Sequence, residues 1–158
     1  MLSKLKKSKS EGFTIIEVMI VLAIAGLILL IVFLAVPALQ RNSRNTQRKT
    51  DIGRIGSAAT TVVANNNGQM PTAANLTTNV QTEVGSNLAY YQSAAITGKV
   101  LVAAGTQSNP DDITKVTVVG NGICDTANPG DAKYAQRQIA VLYTTESGSG
   151  KADLCVDQ

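Results

Sequence analysis

The sequence predicts an α+β fold, in which one long amino-terminal helix packs on a small antiparallel sheet. An unbroken apolar run of helical length occupies residues 13–36. Beyond Pro37, apolar residues recur at the spacing of one helix face. From Lys99 onward, short runs with the period of strands alternate with Gly, Asn, Pro and Asp turn signals. A small sheet of this kind can bury one face against the amphipathic helix.

The apolar run is the most informative segment of the chain. It holds 24 residues from Phe13 to Val36, and Glu17 is the only charged one. As a helix it is long enough to cross the hydrocarbon core of a bilayer, which is about 30 Å thick. A carboxylate in such a helix costs roughly 2.5–3.5 kcal/mol on insertion scales. Glu17 therefore needs either a partner or a purpose.

The residues before the run form a short basic leader that ends in Gly12 and is followed by Phe13, Thr14 and Glu17. The lysines of this leader are Lys4, Lys6, Lys7 and Lys9. This arrangement resembles the type IV pilin and pseudopilin family, although Glu11 stands where the family usually has a basic residue. The resemblance implies the type IV pilin fold, cleavage between Gly12 and Phe13 by a prepilin peptidase on the cytoplasmic side, and N-methylation of Phe13.

Two other interpretations compete for the same segment. A conventional secretory signal would place its cleavage site at Ala23-Ile24-Ala25, but the apolar run continues for eleven residues beyond it. A plain single-span anchor explains the hydrophobicity and leaves Glu17 and the Gly-Phe-Thr register unexplained.

Charge and orientation follow from the leader. The chain carries 14 basic and 11 acidic residues, and removal of residues 1–12 leaves ten of each. The basic character therefore belongs to the leader and does not by itself indicate a nucleic-acid partner. Basic residues at 41–49 flank the other end of the span, so the positive-inside rule is ambiguous. Leader processing inside and a cysteine pair outside place the amino terminus in the cytoplasm before assembly.

For Glu17 the resemblance implies a role in assembly. Within a filament, its partner would be the ammonium group of Phe13 on a neighbouring subunit. Two charges removed from water are tolerable when they are paired. The pairing would give each subunit a register signal as it enters the filament.

One helix is predicted from about Phe13 to about Asn66, with a kink or local break at residues 33–37 because Pro37 lacks a backbone donor. Asn65-Asn66-Asn67-Gly68 is a stop signal, and Gly68 suits a left-handed cap. Two glycines, Gly53 and Gly56, mark either close contact with the sheet or a soft helix.

The basic cluster after Pro37 has several interpretations. Its members are Arg41, Arg44, Arg48 and Lys49. They predict either contact with DNA or with acidic residues of a neighbouring subunit, or a solvated helix face that is attracted to lipid headgroups. Since no aromatic residues interleave with them, the last two are favoured over nucleic acid.

Residues 67–98 form a polar connection with a short helix predicted around Ala74–Asn87. Asn75 lies in the sequon Asn75-Leu76-Thr77, where chance occurrence is the favoured explanation. Tyr90-Tyr91 is expected to pack one ring inward and to leave the other exposed. The predicted strands are Lys99–Ala104, Thr114–Val119, Gln138–Tyr143 and Ala152–Val156, with a hairpin tip at Ser147-Gly148-Ser149-Gly150.

Cys124 and Cys155 are the only cysteines. In an exported domain they predict a disulfide, worth roughly 3–4 kcal/mol from chain entropy. With no histidine and no third cysteine, zinc ligation and thiol catalysis lack residues. No cofactor is predicted. Calcium is a minor alternative, based on the four aspartates near the cysteines: Asp125, Asp131, Asp153 and Asp157.

The resulting organisation has five parts, and no feature indicates an enzyme. They are a leader at 1–12, a membrane and assembly helix at 13–36, an amphipathic helix at 37–66, a connection at 67–98 and a sheet region with the cysteine pair at 99–158. The resemblance implies a pilus subunit that forms a helical homo-oligomer, with an assembly platform, its ATPase and the membrane as partners. It would be a single-pass membrane protein before assembly and extracellular afterwards, serving adhesion, twitching motility or DNA uptake. The alternatives are a pseudopilin of a secretion or competence machine and a minor pilin that binds DNA or a surface at the filament tip.

Overall fold

A computed structural model describes residues 12–102, 105–109, 111–148 and 150–158. Three parts of the predictions lie outside the described residues: residues 1–11 of the predicted leader, the end of the predicted strand at 103–104 and Ser149 of the hairpin tip. The chain divides into two units, residues 1–40 and residues 41–158. One helix, α1 (Ile15–Asn65), contributes to both.

In the first unit, α1 begins at Ile15, close to the predicted start, and continues without interruption through Pro37. The predicted local break is therefore absent from the described helix. Because Pro37 has no N–H, the carbonyl of Phe33 loses its usual partner four residues on. Most of the large apolar side chains of residues 13–36 are exposed in the single chain.

In the second unit, α1 changes from a polar helix to a one-faced apolar helix. The buried apolar positions lie at helical spacing and start only at Ile52: Ile52, Ile55, Ala58, Ala59 and Val62. The helix ends at Asn65, where Asn67 and Gly68 both adopt positive φ and the Gly68 N–H donates to the Val63 carbonyl at 3.0 Å. This geometry confirms the predicted left-handed cap.

The second helix, α2 (Ala73–Val84), confirms the short helix predicted around residues 74–87. Thr72 caps its start by accepting a hydrogen bond from the Asn75 N–H, and Leu76, Val80 and Val84 form its buried face. A short 3-10 turn at Ser93–Ala95 leads into the sheet.

The sheet has five strands: β1 (Ile96–Val100), β2 (Thr106–Ser108), β3 (Val116–Cys124), β4 (Asp131–Ser147) and β5 (Gly150–Asp157). In the order β1-β3-β4-β2, each strand is hydrogen-bonded to the next, and β5 also pairs with β4. All pairs are antiparallel except β1 with β3, which is parallel. The sheet is therefore mixed rather than wholly antiparallel, while the α+β class is confirmed.

β1 and β3 are parallel neighbours, and the strand between them in the chain, β2, pairs with β4 and with neither of them. Close packing of α2 on β1 depends on Gly98, where an added Cβ would lie within 3 Å of the Ala73 carbonyl oxygen and the Thr77 amide. The Gly98 N–H donates to the Thr77 hydroxyl at 2.8 Å.

The main core lies between the helices and one face of the sheet. Its sheet side is formed by Ile96, Val116, Val118, Ile139, Val141 and Tyr143. A smaller cluster on the other face joins Leu101, Val119, Ala132, Ala140 and Leu142, with both cysteines packed against it. Since β3 and β4 are covered on both faces, their apolar runs are nearly continuous rather than alternating.

The two glycines of α1 have different surroundings. Gly56 is buried, and the side chain of Gln158, at the end of the chain, lies directly against it. Gly53 is exposed and faces open space. The predicted close contact therefore exists at Gly56 only, and its partner is a side chain beyond β5.

Candidate functional site

The predicted cleavage site lies just before α1. Residues 12–14 have no regular secondary structure, and Gly12 and Phe13 are exposed, Phe13 at 89%. A protease needs an accessible, non-helical backbone at the bond that it cuts. The Gly12–Phe13 peptide meets both conditions in this structure.

Thr14 and Glu17 form a capping box at the start of α1. The Thr14 N–H and hydroxyl both donate to Glu17 Oε2, at 2.8 and 2.7 Å, and the Glu17 N–H donates to the Thr14 hydroxyl oxygen at 3.3 Å. Thr14 is the N-cap and Glu17 the third helical residue, which is the spacing of the Ser/Thr-x-x-Glu signature. The motif Phe-Thr-x-x-Glu thus fixes where α1 begins.

The capping box also leaves acceptor capacity on Glu17. Both bonds from Thr14 go to Oε2, and no partner of Oε1 occurs among the residues that the structure describes. A carboxylate at a helix start is also favoured by the helix dipole. The side chain is therefore held in place while one oxygen can still accept a bond from a cation.

The apolar run of α1 satisfies the requirements of a membrane span by length and composition. The sequence from Phe13 to Val36 contains one charged group, and that group lies in the first turn of the helix. Such a segment is consistent with membrane anchoring near the amino terminus.

Comparison with known families agrees with this geometry. Residues 7–33 match the family model of the prokaryotic N-terminal methylation motif. This motif is the class III signal peptide of type IV pilin-like proteins. The chain is pilin-like at its amino terminus. The resemblance seen in the sequence is confirmed over this segment, and the motif implies processing by a prepilin peptidase. Searches against curated proteins and solved structures gave no significant match.

The basic cluster of α1 does not form the solvated face that the sequence suggested. Arg44 makes a two-pronged contact with Glu146, its Nε and Nη2 lying 2.7 and 2.5 Å from the two carboxylate oxygens. Arg48, only 1% exposed, contacts the same carboxylate at 2.9 Å. Two of the four basic residues thus share one carboxylate of their own domain, and the solvated-face interpretation is corrected for these two.

Two further residues complete this group, which is called the Glu146 cluster (Arg44, Asn45, Arg48, Tyr90 and Glu146). The Asn45 amide pairs with the backbone of Glu146, donating to its carbonyl at 2.7 Å and accepting from its N–H at 3.0 Å. The Arg48 guanidinium lies 4.0 Å from the Tyr90 ring centroid and donates to the Tyr90 hydroxyl. A buried arginine is thereby paired, hydrogen-bonded and stacked.

The remaining basic residues are more exposed. Arg41 donates to the Gly148 carbonyl oxygen at 3.3 Å, and Lys49 is exposed. Neither makes an ion pair with another described residue. A nucleic-acid contact would therefore rest on these two residues, without aromatic partners beside them.

Asp51 is a buried carboxylate that sequence reasoning missed. It is fully buried, and its two oxygens accept hydrogen bonds from the N–H groups of Ala89, Tyr90 and Tyr91 at 2.7–3.1 Å. These three backbone N–H groups point at the carboxylate and offset the cost of burying it. This contact fixes the loop before the sheet. Tyr91 packs inward at 4% exposure, as predicted, whereas Tyr90 is half-buried against Arg48 and not exposed.

The two cysteines form the predicted disulfide, which joins the end of β3 to β5 with a Cα–Cα distance of 5.6 Å. Asp157 lies beside it and accepts a hydrogen bond from the Cys124 N–H at 2.6 Å. Since both sulfurs are bonded to each other, neither is available as a thiolate ligand.

The aspartates that suggested calcium form separate hydrogen bonds within the domain. Asp125 forms a turn, and hydrogen bonds from the Asn128 side chain and the Ala127 N–H lower the pKa of its carboxyl group. Asp153 accepts from the Thr144 hydroxyl at 2.8 Å and from the Asn109 amide at 3.1 Å. Together with Asp157, three of the four carboxylates are therefore engaged within the domain.

Sequence reasoning also overlooked Thr14 as a partner of Glu17, although the spacing Thr-x-x-Glu before an apolar run carries that signal. No local pattern marks Glu146 or Asp51. Their partners lie about 100 and 40 residues away along the chain.

Loss of the Thr14 hydroxyl is expected to loosen the first turn of α1. Replacing Thr14→Val keeps the shape and removes the capping oxygen, which costs about 0.5–2 kcal/mol at an N-cap. We expect the Glu17 amide of the detergent-solubilised chain to exchange hydrogen several-fold faster, measured by NMR or mass spectrometry. Thr14→Ser restores the oxygen and should exchange at the wild-type rate. Equal rates in all three proteins would contradict the capping role.

The Glu146 cluster predicts a pH dependence of stability. Hydrogen bonds from Arg44 and Arg48 lower the pKa of Glu146 to about 2, from an ordinary value of 4.5. Since the folded-state pKa is the lower one, the contribution is complete above about pH 4.5, declines below it and is lost below about pH 2. We expect the difference in unfolding midpoint between wild type and Glu146→Gln to be constant from pH 7 to 5 and to shrink towards pH 2. A constant difference down to pH 2 would show that the ionised carboxylate is not responsible.

Proposed function

We propose that this chain is a structural subunit of a type IV pilus, a pilin that polymerises through its amino-terminal helix. In this proposal, the prepilin peptidase removes residues 1–12 and Phe13 becomes the N-methylated amino terminus. An assembly platform with its ATPase then moves the subunit from the membrane into an extracellular filament. Its soluble unit, closed by the Cys124–Cys155 disulfide, faces outward in that filament.

One observation carries the proposal. The accessible Gly12–Phe13 bond, the capped helix start and most of the apolar run follow one another within residues 7–33, which match the methylation motif. A plain membrane anchor requires only the last of these three features. Their order is what a processed, polymerising subunit requires.

In this proposal Glu17 has two successive partners. Before assembly, the hydrogen bonds from Thr14 reduce the cost of a carboxylate in the span. Cleavage creates an ammonium group at Phe13, four residues before Glu17. In a filament, the Phe13 ammonium of a neighbouring subunit then meets the oxygen of Glu17 that Thr14 leaves open. The pair forms only when the two subunits are in register.

A second role, nucleic-acid binding by the basic cluster, has less support. Glu146 pairs with both Arg44 and Arg48, and among the described residues no aromatic ring stacks on Arg41 or Lys49. A filament subunit whose surface properties reside in the sheet region agrees better with these contacts.

The proposal is tested by intact mass spectrometry of sheared extracellular filaments, with and without reduction. We expect a dominant species that starts at Phe13, carries one methyl group and gains two hydrogens on reduction. If the processed chain occurs only in membranes while filaments consist of other subunits, the pseudopilin or minor pilin alternative replaces the pilus subunit. A chain that retains its leader would contradict the proposal altogether.

The assembly role of Glu17 is tested with Glu17→Gln, which keeps the size of the side chain and removes the charge. We expect at least a tenfold loss of sheared filaments, because an ionic partner contributes roughly 1.5–3 kcal/mol more than none. The processed chain should accumulate in the membrane at the normal mass. As a matched control, Glu83→Gln changes an exposed carboxylate of α2 and should leave filament yield unchanged. Normal yield from Glu17→Gln would remove the charge pair from the mechanism.

A further inference from the structure

The part of α1 at residues 41–51, called the polar segment, lacks any apolar side chain. Its sequence is Arg-Asn-Ser-Arg-Asn-Thr-Gln-Arg-Lys-Thr-Asp. The first buried apolar residue of α1, Ile52, follows it directly. Six of its eleven residues are Asn, Ser, Thr or Asp, which are poor helix formers. Neither hydrophobic burial nor intrinsic propensity therefore explains why this segment is helical.

Contacts with the β4–β5 hairpin supply what the polar segment lacks. Glu146, one residue before the end of β4, binds Arg44, Asn45 and Arg48 through its side chain and backbone. At the hairpin tip, the Gly148 carbonyl accepts from Arg41. The four helix residues in these contacts, at positions 41, 44, 45 and 48, span two turns and share one face of the helix.

The remaining side chains of the polar segment do not replace these contacts. Thr46 and Thr50 donate only to carbonyls of their own helix, four residues back. Such bonds give no anchorage to the rest of the domain. Asp51 and Arg48 anchor the end of the segment to the loop at 89–91, Asp51 through its carboxylate and Arg48 through the ring and hydroxyl of Tyr90. Between residues 41 and 47, the side-chain contacts with the rest of the domain therefore depend on Glu146 and the Gly148 carbonyl.

We propose that residues 41–47 of the polar segment form a conditional helix, which stays helical because the β4–β5 hairpin holds it through Glu146. Release of the hairpin would free these seven residues, since Arg48 and Asp51 remain attached to the loop at 89–91. An extended chain spans up to about 3.5 Å per residue against 1.5 Å in a helix, so residues 41–47 could lengthen by about 14 Å. Its use as a compliant element in a filament rests on the proposed function, whereas the conditional helix itself does not.

Hydrogen–deuterium exchange of the detergent-solubilised full chain tests this proposal without requiring a filament. In Glu146→Gln, we expect amides of residues 44–50 to exchange roughly ten- to a hundredfold faster, as the loss of charged hydrogen bonds implies. Amides of Val116–Val119 in β3 should keep their wild-type rates. Arg44→Gln, which leaves the Arg48–Glu146 contact in place, should give a smaller acceleration confined to the same segment.

The control variant is Glu83→Gln, since Glu83 is an exposed carboxylate without an ion pair among the described residues. Its exchange rates should equal those of the wild type in the polar segment. Unchanged rates in Glu146→Gln would overturn the proposal. Equal acceleration of the polar segment and β3 in both Glu146→Gln and Arg44→Gln would also overturn it, because the cluster would then stabilise the whole domain. If the polar segment of Glu146→Gln exchanges faster while filaments prove to consist of other subunits, the conditional helix stands and the proposed function fails.

Discussion

Burial of the Ile52–Val62 face of α1 is the interaction on which the second unit, residues 41–158, depends. This face meets the apolar face of α2 and the inner face of the sheet in one core. Full burial of an Ile or Val side chain contributes about 1.5–3 kcal/mol, and residues from three different elements share this core. Once α1 occupies this position, the loop bonds of Asp51 and the contacts of Arg44 and Arg48 with Glu146 become geometrically available.

The chemistry of α1 changes twice along its length, and each change follows from the surroundings that a helix of that composition can tolerate. Residues 15–40 are apolar on every side apart from Glu17 and the polar end at Gln40, as a helix in hydrocarbon requires. Residues 41–51 are polar on every side and rely on hydrogen bonds to other elements. From Ile52 onward one face is apolar, as in an ordinary domain helix. A single secondary-structure element therefore combines three different sources of stability.

Much of this organisation could be predicted because it is local. The helix start, its end at Asn65–Gly68, α2 and most of the strands follow from periodicity, capping residues and turn signals. The direction of β1 could not be predicted, since alternation along a strand is the same in parallel and antiparallel pairs. The short strand β2 has too few residues to show a period, and the predicted strand at Lys99–Ala104 began three residues too late.

The candidate site shows the same division. The residues at the amino terminus lie within six positions of one another, so a motif describes them completely. The basic cluster looked solvated because its acidic partner, Glu146, is about 100 residues away along the chain. No local sequence pattern connects an arginine with a carboxylate at that distance. Sequence distance thus decided which partners could be foreseen.

The two carboxylates also differ in what their partners permit. Glu146 is held by two guanidinium groups and by a backbone pairing with Asn45. If Glu146 moved to another partner, Arg48 would stay buried without its counter-charge. Such an arrangement fixes one conformation. Glu17 is held by a single neighbouring residue through one oxygen, in neutral hydrogen bonds that are individually weaker than an ion pair. A carboxylate held in this way can gain an ammonium partner from another chain without losing its first one. The weaker, more local arrangement of Glu17 is therefore the one that agrees with the proposed pairing between subunits.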